Sequence, residues 1–94
     1  MSQAIVRIPA PLRGFTGGAS EVPVDGATVG AALEELGRRH EGLLERIVDG
    51  QGQPRSFVNL YLGDENIRTL EGLESRLGDG AVIHIVPAVA GGGR

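Results

Sequence analysis

The sequence predicts an α+β domain in which a small mixed β-sheet packs on one main helix. Three observations carry that expectation. Short β-branched runs with alternating apolar residues stand near both ends of the chain and around residue 60. Between them lies one extended stretch with the 3.6-residue apolar period of a helix, Val29, Ala32, Leu33 and Leu36. Glycine is frequent, at 16 of 94 residues, while aromatics make up 3 %, so the core must rest on Val, Ile and Leu and the connections on tight turns.

The elements follow in order. Residues 3–9 are short and β-branched, and Pro9 and Pro11 stop them because proline cannot donate to a ladder. Thr16-Gly17-Gly18 is a turn signal and residues 19–24 resume an extended pattern, so the two segments read as a hairpin. Asp25-Gly26 ends the second strand, and Thr28 is placed to accept a backbone N–H as the N-cap of a helix that begins near Val29. Glu34, Glu35, Arg38 and Arg39 fall off the apolar stripe, where their pairs are worth about 0.2–0.5 kcal/mol each. Leu43, Leu44 and Ile47 either extend this helix or form a second turn beyond Gly42, and residues 49–55 are loop.

Residues 57–62 form a clear strand, with Val58, Leu60 and Leu62 assigned to the core face and Phe57, Asn59 and Tyr61 to the other. Residues 63–66 read as a turn, Ile67 and Arg68 as a short strand, and Leu70, Leu73 and Leu77 as part of a short helical turn. Asp79-Gly80 introduces a last strand, residues 81–86, in which Ile83 and Ile85 face the core and His84 and Val86 the opposite side. Strand, strand, helix, strand, short strand, strand is the layout of the β-grasp fold, in which the first and last strands pair in parallel at the centre. The expected division is a domain over residues 1–88 and a flexible glycine tail over residues 89–94, because glycines offer nothing to pack.

Composition excludes several function classes. A formal net charge of −3 and the lack of a basic run argue against nucleic acid as a partner. Zero cysteines rule out a disulfide framework, a thiolate nucleophile and a cysteine-ligated metal. No apolar run approaches the roughly 20 residues that span a bilayer, and no leader pattern is present, so the expectation is a cytoplasmic protein without a membrane partner. Asp64-Glu65 and Asp79 are acidic turn residues without a ligand spacing, and no metal is expected. Thr16-Gly17-Gly18 lacks the length and the lysine of a phosphate loop.

The layout and the ending Asp79-Gly80-Ala81-Val82-Ile83-His84-Ile85-Val86-Pro87-Ala88-Val89-Ala90-Gly91-Gly92 resemble the ubiquitin-like sulfur carriers, which include the small subunit of molybdopterin synthase and the thiamin sulfur carrier. Ile8-Pro9, Leu12-Arg13, Thr16-Gly17-Gly18, Phe57-Val58-Asn59-Leu60-Tyr61 and the tail resemble more closely the mycobacterial carriers for cysteine biosynthesis. The resemblance implies a protein that is not an enzyme and binds no cofactor of its own. An E1-like adenylating or sulfurtransferase partner would use ATP to activate a terminal glycine carboxylate, and a sulfur source would convert it to a thiocarboxylate. The acceptor implied is a pyridoxal-phosphate-dependent cysteine synthase or another biosynthetic enzyme. The alternatives are ubiquitin-like conjugation to lysines, or sulfur carriage for molybdopterin, thiamin or a specialised metabolite.

The family pattern ends at a Gly-Gly pair, here Gly91-Gly92, whereas this chain continues with Gly93 and Arg94. The expected site is therefore Gly92, with Gly93 as alternative, within a tail formed by Ala90, Gly91, Gly92, Gly93 and Arg94, and a tail-trimming metalloprotease is an expected partner. Asn59, Tyr61, His84 and Val86 are the expected docking residues for the activating enzyme, and no residue is assigned a catalytic role.

Overall fold

The computed structural model describes residues 3–87. Five strands form one sheet in the order β2-β1-β5-β3-β4, with β1 at Gln3–Arg7, β2 at Glu21–Asp25, β3 at Val58–Leu62, β4 at Glu65–Asn66 and β5 at Val82–Pro87. The first and last strands pair in parallel, Val6 opposite Ile83, and β5 is flanked on its other side by antiparallel β3. The expected mixed sheet on one main helix is thus the observed architecture, with β5 at its centre.

One face of the sheet is dry. Ala4 and Val6 of β1, Val22 and Val24 of β2, Val58 and Leu60 of β3, and Ile83 and Ile85 of β5 are all buried, as period-two alternation dictates. Against them lies helix α1, Val29–Arg39, whose buried residues Val29, Ala32, Leu33 and Leu36 are the stripe read from the sequence. Burying each such aliphatic side chain contributes about 1.5–3 kcal/mol. The Thr28 side chain accepts from Ala31 N at 3.1 Å and caps α1 as expected. On the outer face of the helix Glu35 takes both partners, Arg38 at 2.8 Å and Arg39 at 3.0 Å. The Arg38 hydrogen bond, seconded by that from Arg39, holds the Glu35 carboxyl below its usual range. A one-turn helix α2, Leu44–Ile47, follows a break at residues 40–43, so Leu43 enters the core from the connecting turn and Ile47 from a separate helix.

Two expectations require correction. The connection from β1 to β2 is not a simple tight turn but a seven-residue 3₁₀ helix, Ala10–Thr16. Pro9 and Pro11, read only as a stop, fix φ at values that also start a helix, and Pro11 sits in its first turn. Gly17 ends it with φ of 66°, the left-handed region that glycine enters without strain. Ile67 and Arg68 do not add a strand. Glu65–Asn66 pairs with β3 instead, and Ile67–Thr69 turns into a 3₁₀ segment because the Asn66 side chain accepts from Arg68 N at 2.9 Å. Leu62 packs against the core as assigned, partly buried at the end of β3 and opposite buried Ile83.

Candidate functional site

The solvent side of the sheet is built by the residues that alternate with the core set. In β5, His84 and Val86 point away from buried Ile83 and Ile85, and Val86 is 41 % exposed. The antiparallel register sets Asn59 directly opposite Val86 and Tyr61 directly opposite His84. All four expected docking residues are therefore cross-strand neighbours, two adjacent pairs along one ladder.

The register also extends this face to residues that sequence reading missed. His84 is opposite Arg7 on its β1 side, Arg7 is opposite Glu21, and Tyr61 is opposite Asn66. A single polar rung, Glu21, Arg7, His84, Tyr61 and Asn66, thus crosses all five strands. Arg7 and Glu21 are 3.4 Å apart in an exposed ion pair, and Ile5 with Val82 forms an apolar pair beside that rung. The alternation of Ile5 and Arg7 against Ala4, Val6 and Ile8 was the available signal. It becomes meaningful only once the register of β1 against β5 is fixed.

A second feature lies at the end of β5, on the side of the helices. Pro87, the last described residue, lines a cavity of about 620 Å³ with Leu12, Phe15, Arg46, Arg55 and Phe57. Phe57 is 54 % exposed there, and the Arg46 guanidinium carbon lies 5.4 Å from the centre of the Phe15 ring. Arg55 Nε donates to the Glu45 carbonyl at 2.7 Å. The expected tail residues Ala90, Gly91, Gly92, Gly93 and Arg94, and the expected boundary between residues 88 and 89, lie outside the described residues.

Among the described residues, no group of three or more His, Asp or Glu is placed to hold a metal ion. None of their helices is long and apolar enough to cross a membrane. What the arrangement offers chemically is a partly apolar, partly polar face on rigid strands, beside the point where the last strand ends.

A sequence model of the ThiS family matches residues 6–92. The chain belongs to the ThiS family. This ThiS-family chain is 42 % identical over 89 residues to the sulfur carrier protein CysO of Mycobacterium tuberculosis, a match that spans 93 % of this chain and 96 % of that one. Its fold superposes on the crystal structure of an Amycolatopsis orientalis BexX/CysO complex with a TM-score of 0.89, 40 % identity and coverage of 95 % of this chain and 99 % of that one. The solution structure of the small archaeal modifier protein 1 from Methanosarcina acetivorans is similar at a TM-score of 0.83 and 33 % identity, covering 98 % of both chains. The ThiS-family chain is thus a ubiquitin-like β-grasp protein of the sulfur-carrier type, close to CysO.

Proposed function

We propose that this protein carries sulfur as a thiocarboxylate on Gly92 and delivers it in biosynthesis, most directly that of cysteine. The observation that carries the reading is the family match, which runs from Val6 in β1 through the rest of the fold and stops at Gly92, two residues short of Arg94. A metalloprotease removes Gly93-Arg94. The freed carboxylate oxygen then attacks the α-phosphorus of ATP held by an E1-like partner, and pyrophosphate leaves. A sulfur nucleophile supplied by that partner attacks the acyl carbon, forming the C–S bond as the C–O bond to AMP breaks. The ionised thiocarboxylate places a nucleophilic sulfur at a chain end without any cysteine.

Glycine suits this chemistry because the partner must surround the carboxylate closely to align phosphate and nucleophile, and a Cβ would obstruct entry. In this reading the chain is not an enzyme: ATP and the sulfur source act through the activating partner, and a pyridoxal-phosphate-dependent cysteine synthase receives the sulfur. The face formed by Asn59, Tyr61, His84 and Val86 is the docking surface, supported by its ladder geometry and by its rigid connection to the tail through β5. That a CysO relative is found in complex with a second protein, BexX, supports a carrier that docks on separate partners. The acceptors of molybdopterin, thiamin or specialised-metabolite pathways use the same chemistry.

Similarity to the small archaeal modifier proteins favours a second reading, conjugation of the activated glycine to lysines of other proteins. Intact-mass analysis distinguishes the two. After incubation with protease, activating enzyme, ATP and a sulfur source, the carrier reading expects loss of Gly93-Arg94 and then a gain equal to replacement of one oxygen by sulfur. A mature chain that retains Arg94 or ends at Gly93 sinks the assignment of Gly92. Failure of the trimmed chain to form an adenylate sinks the carrier reading, and higher-mass lysine conjugates in cell extracts favour the modifier.

A further inference from the structure

All nine basic side chains of this protein are arginines, and the sequence contains neither lysine nor cysteine. An activated acyl terminus is attacked most readily by an unprotonated amine or a thiolate. A guanidinium offers neither, since it remains protonated and its lone pairs are delocalised. We infer that the chain is a donor-only acyl carrier: it has no side chain that can keep the acyl group of its own activated terminus, so a second copy of it can act as acceptor only through an amino-terminal amine. This inference rests on the proposed activation of Gly92 and defines which acceptors that activation can serve.

The remaining nucleophiles do not form lasting bonds of this kind. An imidazole of His40 or His84 that took the acyl group would give an acyl-imidazole, which water returns to the free carboxylate and the free ring. Serine, threonine and tyrosine hydroxyls are weak nucleophiles without an activating base. A lysine would behave differently. Its amine nitrogen would form a C–N bond to the acyl carbon, AMP would leave and the amine proton would pass to solvent, leaving a stable amide.

The structure shows where such an amine would do most damage. Residues 88–92 leave from Pro87, and five residues span at most about 18 Å when extended. Arg46 and Arg55 line the same cavity as Pro87, which makes them the positions at which that reach is tested. Glu45 lines the same mouth, so the two arginines leave it one net positive charge, and neither guanidinium can keep an acyl group. If the chain also modifies proteins, its conjugates are single units or are linked end to end through the amino terminus, with no branching through side chains.

The test uses the chain ending at Gly92, prepared as a C-terminal thioester so that no activating enzyme is needed, incubated at pH 8 and followed by intact mass and peptide mapping. The wild-type thioester is expected to hydrolyse, with any amide mapping to the Met1 amine. Arg55→Lys and Arg46→Lys each supply one amine at the mouth. At least one of them is expected to form a lactam, one water lighter than the free acid, at ten or more times the wild-type rate of self-acylation. A wild-type amide at any residue other than Met1 overturns the inference, and so does simple hydrolysis of both lysine variants. Pyrophosphate release with the activating enzyme is scored separately, so a carrier reading that fails there is distinguishable from a failed donor-only assignment.

Discussion

Gly26 shows how one residue constrains the joint between strand and helix. A Cβ built there would lie 2.7 Å from Ala32 N and 3.0 Å from Ala32 Cα, both backbone atoms that cannot rotate away. The start of α1 is further pinned, since Val29 N donates to Ser75 O at 3.0 Å and Leu77 N to Ala27 O at 3.0 Å. Gly26→Ala is therefore expected to cost about 1–3 kcal/mol, as overpacking does. Gly14→Ala, where nothing lies within 4 Å of the new methyl group, should leave the urea midpoint nearly unchanged, and equal midpoints for the two variants would refute the clash. The sequence marked Gly26 only as a turn residue. Thr28 was legible because capping is local, whereas the approach of residue 26 to residue 32 depends on the angle at which β2 delivers the chain to α1.

Elements with one dominant local signal were read correctly, and those decided by competing signals were not. The stripe of α1 and the alternation of β3 and β5 left little choice, because a slip of one residue in a strand would turn Ile83 and Ile85 to solvent. The segment Ala10–Thr16 carried proline, which argues equally for the end of a strand and the start of a helix. Ile67 looked like strand because it is β-branched and buried, yet its burial is achieved from a 3₁₀ turn capped by Asn66. The β3–β5 ladder carries the docking prediction. Tyr61→Asp and Val86→Asp alter its outer side while Leu60 and Ile85 keep the inner side dry. Both variants should retain cooperative unfolding and weaken binding of the activating enzyme tenfold or more, and titration calorimetry showing unchanged affinity would remove this face from consideration. Of this site, His84 and Val86 with Asn59 and Tyr61 were legible from alternation. Arg7 was not, since the expected pairing of the first and last strands fixes no register, and the register alone sets Arg7 beside His84.

At the scale of the molecule, the topology joins the two ends of the chain and leaves the terminal segment emerging from the middle of the sheet. Strand β5 has a hydrogen-bonded neighbour on each side, β1 in parallel and β3 antiparallel, whereas β2 and β4 form the edges. An enzyme that grips the tail and draws it into a deep site applies force along the axis of β5. Ladder bonds run across the strands, so such a load shears many of them together instead of peeling them one by one. The fold is in this sense a mechanical anchor, besides presenting the proposed docking face. Pulling a single molecule through residue 87 against an attachment at residue 3 should show rupture at a markedly higher force than pulling through residue 87 against residue 58, where the antiparallel β3–β5 pair can unzip from its end. A protein whose last strand lies at the heart of its sheet can be tugged from the end of that strand and keep its shape.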